Sequence, residues 1–249
     1  MKVQIIKTAL AEILPFRNLF LAENNFQIRY NACHERGWSD SYLITVDGRP
    51  AGYGAVKGKD DLKDRDTAFE FYVIPSYRSN LDKVFAAFLA DSGAAYIECQ
   101  TNDKVMCSMI NIFTDHVTAD VILFEEDRLT TLKADNAIFR PRKEGENYFE
   151  HKSEPDGPFV VETGGHVVAT GGFLLHYNKP FADLYMEVHE KYRQMGFGSF
   201  LIQEIKKECY LAGRVPAARC NINNPASKAT LLKAGLRIAG FMQIGKVRI

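Results

Sequence analysis

Strict alternation marks the segment Ala182–Val188. Ala182, Leu184, Met186 and Val188 share one face, and Asp183, Tyr185 and Glu187 share the other, the period-two pattern of a strand. The period then changes. From Ser199 to Leu211, Leu201, Ile205 and Cys209, with Ala212 just beyond, recur at helical spacing, which predicts an amphipathic helix with one core face. Gln203, Glu204, Lys206 and Lys207 fall mostly on the opposite side and are expected to be solvated. A strand over Ala217–Asn223 comes next. Asn224 then suits an N-cap, Pro225 a first helical position, and Gly235 a left-handed C-terminal cap. The tail Met242–Ile249 reads as a final strand that closes a sheet.

The first half of the chain echoes this order. Val73-Ile74-Pro75-Ser76-Tyr77-Arg78 parallels Val188-His189-Glu190-Lys191-Tyr192-Arg193. Each follows a strand with aromatic content and precedes an amphipathic helix, Leu81–Leu89 in the first case. Next come Gly93 or Gly213 and a cysteine-bearing strand, Tyr96–Asn102 or Ala217–Asn223. Upstream, Gly48–Gly54 parallels Gly165–Gly171 as a turn followed by a strand. Two similar halves in tandem are therefore expected. Residues 136–157 carry Pro141, Gly145, Pro155 and Gly157 among many charges, and read as a linker or irregular segment.

The junction between the alternating strand and the helix is the most chemical part of the chain. In Arg193-Gln194-Met195-Gly196-Phe197-Gly198-Ser199 a glycine pair lets several backbone N–H groups converge at a helix N-terminus, an arrangement suited to a pyrophosphate. The spacing lacks the third glycine of a dinucleotide fingerprint, and no P-loop run occurs. Lys+Arg and Asp+Glu both number 31, so nucleic acid is not an expected partner. No apolar run is long enough to span a membrane, and the first residues start no signal-peptide pattern. Five cysteines without paired spacing read as reduced thiols of a cytoplasmic protein. Cys209 and Cys220 read as core filler, and the histidines show no metal-ligand spacing, so no metal is expected.

The lead-in V-x-x-x-Y-R and the loop R-x-x-G-x-G resemble the acetyl-coenzyme A loop of the GNAT N-acetyltransferase superfamily. Asn224, Ser227, Lys233 and Gly235 resemble that family's later N-x-x-S-x-x-x-x-x-K-x-G-F segment. The resemblance covers about residues 158–249. It implies an α/β fold of two GNAT-like halves with mixed, mainly antiparallel sheets flanked by helices. The expected division is a degenerate domain over 1–130, a linker over 131–157 and a catalytic domain over 158–249. Gly196 and Gly198 align with Leu81 and Lys83, so the first half is expected to bind coenzyme A poorly or not at all.

The resemblance also implies acetyl-CoA as co-substrate and direct transfer to an amine, on a small molecule or a peptide, in a ternary complex. Met186, Glu187, Val188, Arg193, Gln194, Met195, Gly196, Phe197, Gly198, Ser199 and Asn224 are the implied coenzyme residues. An amine with pKa near 10.4 must lose a proton, and Glu187, then Asp183, are the candidate bases on the polar face of the strand. Many relatives carry a glutamate where Arg219 stands and a tyrosine where Leu231 stands. Ser227, a water or Tyr185 would then assist the leaving thiol. Two alternatives stay open: a coenzyme-binding sensor or scaffold without catalysis, and a transferase using a longer acyl-CoA. Oligomeric state is also open, a homodimer being one form.

Overall fold

The computed structural model describes residues 1–24, 26–27, 31–146, 149–150 and 154–248. It divides into two compact units. The first takes Met1–Phe26, Tyr30–Asp120 and Gly240–Ile249, and the second Gln27–Arg29 and Val121–Ala239.

In the first unit, β1 (Val3–Thr8), β2 (Ser39–Val46), β3 (Arg49–Lys57) and β4 (Thr67–Val73) form an antiparallel run. β5 (Tyr96–Gln100) continues the sheet parallel to β4, but the two pair only at Thr67–Tyr96 and Ala68–Ile97. The α3 helix (Leu81–Ser92) and α4 (Lys104–Phe113) cover one face, where Phe71, Val84, Phe85, Phe88, Met106 and Ile110 form the core. On the other face α1 (Leu10–Glu23) sets Ile13 and Phe20 against Tyr53 and Tyr72. A short α2 (Asn31–Glu35) lies beyond it in the chain.

Beneath α1 the fully buried Glu70 makes four polar contacts with three side chains. Arg17 grips it through Nε and Nη2 at 2.9 and 3.1 Å, His34 Nε2 lies at 3.0 Å, and the Tyr53 hydroxyl donates at 2.9 Å. A buried carboxylate held this way has its charge compensated and its oxygens hydrogen-bonded.

The second unit orders its strands β6-β11-β10-β9-β8-β7. These are the end of β6 (Thr114–Glu126), β7 (Ile138–Pro141), β8 (Phe159–Thr163), β9 (His166–Leu174), β10 (Phe181–Val188) and β11 (Val215–Asn221). The α5 helix (Phe197–Leu211) packs on β9, β10 and β11, and α6 (Pro225–Lys233) packs on α5 and β11.

The internal echo has a structural counterpart. The β2–β3 turn at Asp47–Gly48 and the β8–β9 turn at Gly164–Gly165 both place two successive residues at positive φ, the geometry of a tight hairpin. Arg78 Nε donates to the Val73 carbonyl at 2.7 Å, and Arg193 Nε donates to the Val188 carbonyl at 3.2 Å. In both units the arginine of the V-x-x-x-Y-R run ties the following turn to the end of its strand.

The compact units differ from the contiguous division that the sequence suggests. The tail lies in the first unit, where β12 (Leu236–Val247) runs antiparallel to β5, Met242 opposite Gln100 and Lys246 opposite Tyr96. The segment 131–157 contains β7, which pairs along β8. Phe139 stacks on Phe159 with centroids 5.3 Å apart, and Arg140 pairs with Glu162 and Glu146. These cross-strand contacts hold a strand despite the Pro and Gly content around it. Residues 147–148 and 151–153 of that segment, and Ile249 of the tail, lie outside the described residues.

The solvated face expected on α5 is a further correction. Leu201, Ile205 and Cys209 are buried as the spacing predicts, but so are Gln203 and Lys206. Lys206 Nζ donates to the carbonyls of Arg128 and Ala234 at 2.8 Å and pairs with Glu126 at 3.0 Å. It caps the end of α6 and anchors the chain leaving β6. The Gln203 amide is bonded to the backbone of Leu132.

Candidate active site

The central feature of the second unit is a strand pair that parts. β10 and β11 pair in parallel from Phe181–Val215 to Asp183–Ala217 and no further. On its other edge β10 stays antiparallel to β9 as far as Val188–Ala169. The His189 N–H donates to the Val168 carbonyl at 2.9 Å, which fixes the alternation of backbone direction. Asp183, Tyr185 and Glu187 therefore turn their backbone groups to β9. Leu184, Met186 and Val188 turn theirs toward the gap left by β11, open to an added extended partner.

The loop at the head of this gap is shaped by two left-handed residues, Gln194 (φ 64°) and Gly196 (φ 89°). Gly196 is the N-cap of α5, which starts two residues before the sequence pattern suggests because Phe197 and Gly198 already belong to its first turn. The first intrahelical bond runs from Phe200 N–H to the Gly196 carbonyl at 3.1 Å. The N–H groups ahead of it have no intrahelical partner and sit at the positive end of the helix. A Cβ on residue 196 would find only Lys233 Nζ, at 3.9 Å. The cradle is thus open and has an ammonium beside it. Residue 198 is different. A Cβ there would meet Val188 Cγ2 at 3.2 Å and Thr230 Cγ2 at 3.3 Å, so the absent side chain permits close packing of α5 on β10 and α6.

Other expected coenzyme residues divide by role. Met186 and Val188 present backbone to the gap, while their side chains face α5. Arg193 spends its Nε on the Val188 carbonyl. Met195 is exposed, and Phe197 and Ser199 are buried. Asn224 is an N-cap, its Oδ1 accepting the Ser227 N–H at 3.0 Å. The structure brings Met186, Val188 and residues 193–199 together along β10 and its loop, while Asn224 lies at the start of α6. Lys233, part of the α6 motif, places its ammonium beside the loop.

Asp183, Tyr185 and Glu187 share the face of β10 opposite α5. Asp183 and Glu187 are 6% and 7% exposed. Glu187 Oε2 accepts the Glu154 N–H at 3.2 Å. Asp183 Oδ2 lies 2.9 Å from His176 Nε2 and 3.8 Å from Arg219 Nε. Burial, helped by the Glu154 and Asp156 carboxylates, raises the Tyr185 phenol above its ordinary pKa. Ser227 is on α6, where its N–H is held by Asn224. The three carboxylate and phenol groups are therefore together, and Ser227 lies apart from their face.

Burial pushes the Cys209 thiol up to about 11 and raises Cys220 as well, so neither is a nucleophile near neutral pH. Among the described residues no cluster of three or more His, Cys, Asp and Glu side chains could hold a metal ion. None of the described helices is long and apolar enough to cross a membrane. A polar cavity of about 620 Å³ lies between the β8–β9 turn and the Glu190–Tyr192 turn. It is on the β9 side of β10, away from the gap.

A parallel strand pair that parts, headed by a bare backbone cradle at a helix N-terminus, defines the acyl-CoA N-acyltransferase fold. Residues 123–236 match the family model described as the acetyltransferase (GNAT) family. Among solved structures, the chain is similar to an acetyltransferase of the GNAT family from Colwellia psychrerythraea, with TM-score 0.77 at 14% identity and 100% of both chains covered. A GCN5-related N-acetyltransferase from Sphaerobacter thermophilus gives TM-score 0.62 at 13% identity, with 99% of this chain and 96% of that one covered. A tandem GNAT protein from the clavulanic acid biosynthesis pathway (without AcCoA) gives 0.62 at 10% identity, with 100% and 99% covered. At these identities the likeness is one of fold. No curated protein matched the chain by sequence.

Proposed function

We propose that this protein is an N-acetyltransferase that moves the acetyl group of acetyl-CoA to a primary amine by direct attack in a ternary complex. The observation that carries the reading is the open cradle at Gly196, set at the head of the gap between β10 and β11. Its N–H groups and the Lys233 ammonium suit a diphosphate. The edge of β10 at Leu184, Met186 and Val188 suits an extended amide-bearing arm, and a backbone N–H there can polarise a thioester carbonyl.

The acidic face holding Asp183 and Glu187 receives the amine. A carboxylate there lowers the cost of removing the amine proton, directly or through a water. The nitrogen then bonds the acetyl carbon, and the C–S bond breaks with its electron pair to sulfur. The buried, raised Cys209 and Cys220 thiols are not suited to forming an acyl-enzyme. All five cysteines are free, which suits work in a reducing compartment such as the cytoplasm.

Calorimetry with CoA and acetyl-CoA, followed by a thiol-release screen over primary amines and lysine peptides, tests the reading. Both ligands should bind, and Lys233→Gln should weaken binding about two- to fivefold, the worth of one exposed ion pair, more at low salt. No heat from either ligand refutes the coenzyme assignment. Heat without thiol release on any amine refutes the catalytic one.

A further inference from the structure

In the second unit the pair His176–Asp183 joins a histidine to a buried carboxylate. Asp183 is the last residue of β10 with a register partner on both neighbouring strands. Its side chain thus stands at the point where the gap begins, on the face opposite α5. His176, in the connection between β9 and β10, places Nε2 2.9 Å from Asp183 Oδ2. The two side chains are 25% and 9% exposed, so the ring is reachable while its carboxylate is nearly dry. An ionised carboxylate only accepts hydrogen bonds, so a neutral ring bonded to one donates Nε2–H and keeps its lone pair on Nδ1.

We infer that His176 is the group that takes the proton from the attacking amine, with Asp183 as its positioning residue. This rests on the acetyl-transfer reading above. Asp183 fixes the tautomer and stabilises the imidazolium, as a buried aspartate does for a catalytic histidine. In the transfer, the amine nitrogen gains its bond to the acetyl carbon and gives its proton to Nδ1. The C–S bond breaks with its electrons on sulfur, and the imidazolium returns the proton to the thiolate or to solvent. The charged groups around the pair are Tyr185 and Glu187 on β10, Arg219 on β11, and Glu154, Asp156 and Arg142 near Tyr185. Tyr177 packs its ring 4.9 Å from the imidazole.

The test uses the full chain, ethylamine as acceptor, acetyl-CoA as donor, and calorimetry on every variant. The pH profile of kcat/KM should show a limb that reports the essential base of the free enzyme. His176→Gln should abolish that limb and lower kcat about 10²- to 10⁴-fold, with the acetyl-CoA Kd unchanged. Asp183→Asn should move the limb to lower pH, a shift that a merely structural role would not produce. A His176→Gln protein that keeps both rate and limb overturns the inference and leaves the coenzyme reading standing. Acetyl-CoA binding by wild type without ethylamine turnover also overturns it. Absence of binding by wild type strikes the coenzyme reading instead.

Discussion

Replacing Gly196 with alanine isolates the strain that builds the cradle. The residue has φ 89° and ψ −7°, a left-handed conformation that costs an L-residue about 1–2 kcal/mol. The added Cβ would find only Lys233 Nζ, at 3.9 Å, so no steric clash contributes and the cost is conformational. Reduced freedom of the unfolded chain returns about 0.4–1 kcal/mol. The expected net loss is about 1 kcal/mol. Asparagine tolerates the left-handed region and caps helices, so Gly196→Asn should fall within about 0.5 kcal/mol of wild type. Gly198 has an ordinary φ but close neighbours, and a helical Gly→Ala gain of about 1 kcal/mol opposes the crowding. Gly198→Ala should therefore change stability little. Affinity should follow the backbone: relaxing φ at residue 196 turns the N–H groups apart and should weaken acetyl-CoA about tenfold or more, or about 1.4 kcal/mol. Urea unfolding and calorimetry on the three variants check this. If Gly196→Ala matches wild type in both stability and affinity, the cradle argument is wrong.

Two predictions concern buried charge. Lys206→Met removes the donor shared by the Arg128 and Ala234 carbonyls and the partner of Glu126, and should cost about 3 kcal/mol. Glu126 already titrates above its ordinary range because of burial and can neutralise, which keeps the loss at the low end. A urea-derived loss under about 1 kcal/mol would contradict that account. In the first unit, burial opposes ionisation of Glu70, but Arg17 and His34 outweigh it and hold the carboxyl well below its ordinary pKa. A depressed folded pKa stabilises above the unfolded value, near 4.3, and that contribution fades as pH falls through the folded value. Glu70→Gln should cost about 3–5 kcal/mol at neutral pH, and the gap to wild type should narrow below about pH 4. A gap constant from pH 7 to pH 2 would rule out the ionic reading.

Period and punctuation in the sequence determined the local elements around the site. The alternation in Ala182–Val188, the glycine pair at Gly196 and Gly198 and the Asn224-Pro225 start of α6 depend on interactions within a few residues. The paired hairpin turns and the V-x-x-x-Y-R arginines made the tandem plan legible for the same reason. Tertiary structure alone decided three things. It set Met242–Lys246 beside β5, buried Lys206 against carbonyls 28 and 78 residues away, and brought His176 to Asp183 across a strand connection. Strand neighbours and buried partners are chosen by complementarity between distant segments, and a residue's own neighbourhood carries no record of that choice. An isolated lysine on a helix reads as solvated until the acid and carbonyls that meet it are known.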